Sequence, residues 1–193
     1  MKILGVDPGT LVMGYGVIAS ETEAVTLITY GAIETKKLAT IGERLSFLYR
    51  ELNKVIKKYQ PDAVAIEQPF VAKNVSSALA VGRAQAVAIL AAANARIPSF
   101  EYTPAQVKQR VANYGASTKE QIQEMVKLQL GLDRIPEPSD AADALAVALC
   151  HLHELHLNQL LERGDWKHND LRFMNSTSPL PRWERAKGEG DYP

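Results

Sequence analysis

The chain has 193 residues, enough for one domain with an appendage, and 46% of them are hydrophobic, enough to build a core. Its 22 basic residues balance 22 acidic ones, so no gross charge marks a polyanion or membrane-surface binder, and its single cysteine, Cys150, excludes an internal disulfide framework and fits a reducing cytoplasm. The N-terminus enters a strand-like run broken by Asp7, unlike a signal peptide, and the most apolar stretch, residues 84–95, is shorter than the roughly 20 residues a membrane span needs.

Residues 2–7 read as a buried strand ending at Asp7, and Asp7-Pro8-Gly9-Thr10 reads as a turn. Residues 13–19 and 25–33 read as two more strands, and three in a row with short links predict an antiparallel meander. Over residues 41–59 the apolar positions Ile41, Leu45, Leu48, Leu52, Val55, Ile56 and Tyr59 follow a helical period, which Pro61-Asp62 ends. Residues 63–67 form a short buried strand closing on Glu67, and residues 76–95 an alanine-rich helix stopped by Pro98. A strand over residues 99–102 follows, then Thr103-Pro104 as cap and first turn of a helix. Ser117 or Thr118 caps a helix over 119–130, and Ser139 is expected to cap the last, roughly 140–161. The order β-β-β-α-β-α-β-α-α-α predicts an α/β fold: a mixed five-stranded sheet with helices on both faces, strands 1–3 antiparallel and strands 4 and 5 parallel to strand 1. Residues 1–163 are expected to form the domain. The tail 164–193, with prolines, glycines and no apolar periodicity, is expected to be disordered.

Four acids stand out. Asp7 and Glu67 each close an apolar strand, and Asp140 and Asp143, three apart, share a face at the start of an apolar helix. If the first and fourth strands are neighbours, Asp7 and Glu67 converge at the sheet edge where α/β proteins place their sites. Each acid has a plainer explanation alone: a turn aspartate, a buried glutamate paired with a lysine, or two acids favouring a helix dipole. Four together would repel strongly unless divalent cations partner them, which points to metal-dependent phosphoryl transfer. Setting the four aside leaves 18 acidic residues against 22 basic ones, so a neutral total does not exclude a polyanionic partner.

The stretches Ile3-Leu4-Gly5-Val6-Asp7-Pro8-Gly9-Thr10, Gly14-Tyr15-Gly16, Ala65-Ile66-Glu67-Gln68 with Phe70 and Ala72-Lys73-Asn74, Gln106-Val107-Lys108-Gln109, and Asp140-Ala141-Ala142-Asp143-Ala144-Leu145-Ala146 resemble the RuvC-type Holliday junction resolvases, of ribonuclease H-like fold. The resemblance covers residues 1–156, with Pro69 a local departure and no counterpart after Gly164. It implies a homodimeric endonuclease of recombination and DNA repair that nicks four-way DNA junctions symmetrically on two strands of like polarity. The family's metal-binding and catalytic acids map to Asp7, Glu67, Asp140 and Asp143. Two Mg²⁺ ions about 4 Å apart, with Mn²⁺ as substitute, suit an in-line displacement on oxygen ligands. The RuvA–RuvB branch-migration machine is the implied partner.

Among other residues, Phe70 with Lys73 is expected on an exposed loop, where the ring would stack on an unpaired base. Arg83, Lys108, Arg110, Lys119 and Lys127 are candidates to track phosphates, and the resemblance puts Lys108 and Lys119 nearest the chemistry. The small-residue face Ser77, Ala80, Ala84, Ala88 and Ala91 suits either a dimer contact or tight packing on the sheet. His151, His153 and His156 lack the i, i+4 pairing of helical zinc sites and are not expected to bind metal. Asp7-Pro8-Gly9-Thr10 also resembles the first phosphate loop of actin-like ATPases and sugar kinases, but a second glycine-rich phosphate loop is missing. A junction-binding protein without cleavage is the other alternative, against which the complete acid set argues.

Overall fold

A computed structural model describes all residues except 22–23, 39, 70–74, 113–114, 116 and 164–193, and the side chains of residues 75–77 and 163. Its elements are β1 (Lys2–Asp7), β2 (Val12–Glu21), β3 (Ala24–Glu34), α1 (Ile41–Tyr59), β4 (Ala63–Glu67), α2 (Val75–Asn94), β5 (Ser99–Tyr102), α3 (Pro104–Ala112), α4 (Lys119–Gln129) and α5 (Ser139–Arg163). The sheet runs β3-β2-β1-β4-β5. β1–β2 and β2–β3 are antiparallel, and β1–β4 and β4–β5 are parallel, as the element order predicted. Met1–His156 forms one compact unit, and Leu157–Pro193 is a separate one whose described part is the end of α5.

Strand alternation divides the core in two. Leu4, Val6, Val64 and Ile66 point to one face and pack with Leu48, Leu52 and Ile56 of α1 and Ala84, Ala88, Ala91 and Ala92 of α2. Ile3 and Ala65 point to the other, against Val107 and Val111 of α3, Ile122 and Val126 of α4 and the run Leu145–Cys150 of α5. Residues 144–150 are all fully or almost fully buried. A helix apolar on every side belongs between layers, and this stretch of α5 is wrapped by sheet, α3 and α4.

The helix starts are fixed by local chemistry. Thr40 and Thr118 each accept from the third residue of their helix while Glu43 and Gln121 return the bond. Thr103 and Gln106 form the same reciprocal pair at α3. Ser139 departs from expectation: it is the first residue of α5, and the Pro138 carbonyl accepts from Ala141 N at 2.9 Å in place of a serine cap.

Candidate active site

The parity that builds the core also aims the acids. Ile3, Gly5 and Asp7 lie on one face of β1, and Ala63, Ala65 and Glu67 on the same face of β4. Val6 pairs with Ile66 across the parallel ladder, so Asp7 and Glu67 follow side by side at its carboxyl end. That face is the one α5 covers. Two glycines seat the helix there. A Cβ on Gly14, the cross-strand partner of Asp7, would overlap the Asp140 carbonyl oxygen; one on Gly5 would overlap that of Ala144. Backbone therefore lies directly on backbone, and the first two turns of α5 bring Asp140 and Asp143 over the ends of β1 and β4.

Electrostatics record this convergence. Burial, then the charges of Glu67, Asp143 and Asp140, pushes Asp7 up to about 8, with Lys119 opposing. Glu67 is raised by burial and by Asp143, against a hydrogen bond with Asp7 and the positive charges of Lys119 and Lys108. A bond between two carboxyl groups requires one shared proton. Asp143 is raised as well, chiefly by burial and then by Asp140, although Lys119 and Gln123 hydrogen-bond to it. The Lys119 ammonium donates to Asp143 Oδ2 at 2.5 Å. Burial alone would lower Lys119, but that bond and the charges of Asp143, Asp7 and Asp140 raise it. Among the described residues no three ligating side chains are already closed about a common point. The fold supplies an open, all-carboxylate set carrying more negative charge than one lysine offsets, a donor set that fits a hard divalent cation.

The structure thus gathers Asp7, Glu67, Asp140, Asp143 and Lys119, with Lys108 close enough for its charge to act on Glu67. Phe70 and Lys73 lie outside the described residues. Arg83 is exposed on α2, in the helical layer across the sheet from α5. Arg110 pairs with Glu154 at 2.6 Å and Lys127 with Glu124 at 2.8 Å. Of the two readings of the small-residue face of α2, the structure fits packing: Ala84, Ala88 and Ala91 are fully buried against α1 and the sheet. What α2 exposes includes Leu79 and Leu90. His151 is a core residue. Its Nδ1 shares a 2.6 Å hydrogen bond with the Tyr102 hydroxyl, Phe100 stacks on its ring, and burial lowers it to about 4. His153 Nδ1 is 2.8 Å from the Arg110 carbonyl.

Sequence reasoning missed the glycine seat, although Gly5 and Gly14 stood within the stretches it singled out. It also missed Gln123, next to the buried Ile122 of α4, and the link from Gln85 to Glu101 (2.6 Å) and on to Gln68 (3.4 Å), which ties α2 to the residue after Glu67.

A family model described as crossover junction endodeoxyribonuclease RuvC matches residues 3–151. A protein of that name from Dehalococcoides mccartyi is 53% identical over 165 residues, 86% of this chain and 99% of the relative. Another from Syntrophomonas wolfei is 48% identical over 172 residues, 89% of this chain and all of the relative. Among solved structures, Thermus thermophilus RuvC superposes with a TM-score of 0.75 at 34% identity, covering 82% of this chain and 97% of that one. The same protein in complex with Holliday junction substrate gives 0.74, covering 81% and 96%. The fold is accordingly ribonuclease H-like, and no described helix is long and apolar enough to cross a membrane. On family model, identity and fold alike, this chain belongs to the crossover junction endodeoxyribonuclease RuvC family.

Proposed function

We propose that this endonuclease resolves four-way DNA junctions by paired nicks on two strands of like polarity, and that Asp7, Glu67, Asp140 and Asp143 hold Mg²⁺, two ions per site with Mn²⁺ as substitute. The observation that carries the reading is the gathering of four carboxylates from β1, β4 and α5, with Asp7 pushed up to about 8 by burial and its acidic neighbours. When bound, the metal supplies an activated water and a counter-charge for the leaving oxygen. The remaining work belongs to the chain. The shared proton between Asp7 and Glu67 marks where a cation takes over charge balance, so ligand binding releases protons. Lys119, more than half exposed while bonded to Asp143, can turn its other N–H groups to a phosphate oxygen. Lys108 adds positive potential on the Glu67 side. Partial burial of the acids strengthens each of these interactions.

A homodimer presents two such sites to a two-fold substrate, and the exposed leucines Leu79 and Leu90 of α2 suit the interface. Phe70 stacking at the crossover, phosphate contacts from Lys73 and Arg83, docking to RuvA–RuvB and work in the cytoplasm complete the proposal. The test is a synthetic four-way junction incubated with protein and Mg²⁺. Paired, ligatable nicks are expected. Asp7→Asn should bind the junction and cut at least about a thousand-fold more slowly. Absent nicks from the wild type, or loss of binding in Asp7→Asn, overturns the reading.

A further inference from the structure

A second positively charged feature lies at the same end of the sheet as the acids. β1 and β3 run in the same direction, so the turn after β3 emerges beside the turn after Asp7. The two turns are bonded together. Thr35, buried, donates its hydroxyl to the Thr10 carbonyl at 2.6 Å and its amide to the Leu11 carbonyl at 2.9 Å. Leu38 N in turn donates to Thr35 O at 2.9 Å, and Arg44 Nε holds the Leu38 carbonyl at 3.0 Å. The turn is therefore braced from both sides. It borders a cleft of about 480 Å³ lined by Glu34, Thr35, Lys36, Lys37, Leu38 and Phe47. The Arg50 guanidinium sits 5.3 Å over the Phe47 ring, and also 3.7 Å from Glu51. Lys36 and Lys37 are both exposed. The acid lining the cleft is Glu34, whose 3.7 Å contact with Lys36 is open to water on both sides and easily exchanged for another anion.

We propose that this cleft is a phosphate-backbone site, in which Lys36 and Lys37 hold the strand leading to the scissile position. The inference rests on the carboxylates being the cutting site. Charge decides the occupant: two lysines on a rigid turn attract a polyanion, and the bond from Thr35 to Thr10 couples the turn to the loop that follows Asp7. Distance agrees. β3 and β1 are two strand spacings apart, about 10 Å, which is a lower bound because Phe47 brings the cleft to the α1 face while α5 covers the other, and it amounts to at least roughly three steps along one strand of duplex at 3.4 Å per step. A strand placed on the acids therefore needs at least that many nucleotides to reach the cleft. The contact reads no sequence; it fixes register and orientation.

The test uses the full chain and a fluorescent four-way junction in EDTA, with affinity followed against salt. Each phosphate contact contributes a slope of about 0.9 in log K against log salt. Lys36→Ala/Lys37→Ala should lower the slope by about 1 to 2 and weaken binding roughly ten-fold at moderate salt. Glu34→Gln should move the other way, binding roughly two-fold more tightly. The pair Lys57→Ala/Lys58→Ala removes the same charge from the opposite end of α1, where Lys2 reaches the Tyr59 carbonyl, and should leave the slope alone. Single methylphosphonates scanned outward from about three steps beyond the cut should, at one position, weaken wild type and spare the Lys36/Lys37 variant. A wild-type slope in a folded Lys36/Lys37 variant, or weaker binding in Glu34→Gln, overturns the assignment while junction cutting by the wild type leaves the active-site reading intact. A wild type that neither binds nor cuts junctions overturns both.

Discussion

Asp7→Asn makes the electrostatic argument measurable without any DNA. In the metal-free protein Asp7 is raised from an ordinary 3.8 to about 8, first by burial and then by its acidic neighbours. Between those two values the folded chain keeps a proton that the unfolded chain has released. Folding stability must therefore fall as pH rises through that window and level off above about 8. From pH 6 upward about two units remain, and at about 1.4 kcal/mol per unit the loss is roughly 3 kcal/mol. For a domain of this size that is a fall of roughly 6–12 °C in melting temperature. Glu67 and Asp143 are also raised and contribute in the same direction, but they share the same repulsions, so the figures do not add. Asparagine removes the charge and keeps the shape. In EDTA the stability of the variant relative to wild type should grow by about 3 kcal/mol between pH 6 and pH 9. Magnesium should restore the wild type at pH 9, by about 2.7 kcal/mol at a hundred times its dissociation constant, and do much less for the variant. Thermal melts at pH 6 and 9, with EDTA or Mg²⁺, read all four states. A wild type whose EDTA stability is flat or rises over this range, or an Asp7→Asn variant whose stability relative to wild type does not grow over it, refutes the account of the site.

Gly14→Ala tests the seat of α5. Its Cβ would meet the Asp140 carbonyl oxygen, main chain that cannot turn aside, so the variant should lose about 1–3 kcal/mol by overpacking and cut more slowly by at least ten-fold, checked by urea denaturation and the junction assay. His151 sets an acid limb of opposite sign. Burial lowers it to about 4, so it is neutral when folded, and its contribution, complete above about 6.5, is lost as pH falls toward 4, up to roughly 3 kcal/mol. His151→Gln keeps a partner for the Tyr102 hydroxyl and should flatten that limb in melts between pH 4 and 7 relative to wild type.

How much of this was legible depends on whether the information is local. The strand period, the proline stops and the threonine starts at 103 and 118 act over a few residues, and the elements they predicted are present. The capping pair Thr40 and Glu43 was equally readable and was missed. The alanine face of α2 was ambiguous in kind, since small residues serve close packing and helix–helix contact alike; only the neighbours α1 and β4 decide it. Ser139 went astray because a preceding carbonyl, that of Pro138, takes the bonds a serine side chain would have made.

The acids were legible singly, and parity joins two of them before any coordinates are consulted. Ile3, Gly5 and Asp7 alternate onto one face, as do Ala63, Ala65 and Glu67, so a parallel β1–β4 pair must set both carboxylates on one side. What parity leaves open is which helix covers that side. The glycines supply it: Gly5 and Gly14 on paired strands strip side chains from the same face, next to Asp7, and only a helix with small residues can lie that low. Of the long helices, α5 brings Ala141, Ala144 and Ala148 together with two aspartates in its first two turns, whereas α2 has alanines and no acid. The site is thus specified by a vacancy in two strands matched to a charge pattern in one helix. It follows that moving the aspartates one residue along α5 would rotate them about 100° and break the carboxylate set, and it would cost stability too, because Ala141, Ala142 and Ala144 are fully buried and a carboxylate there would have no partner.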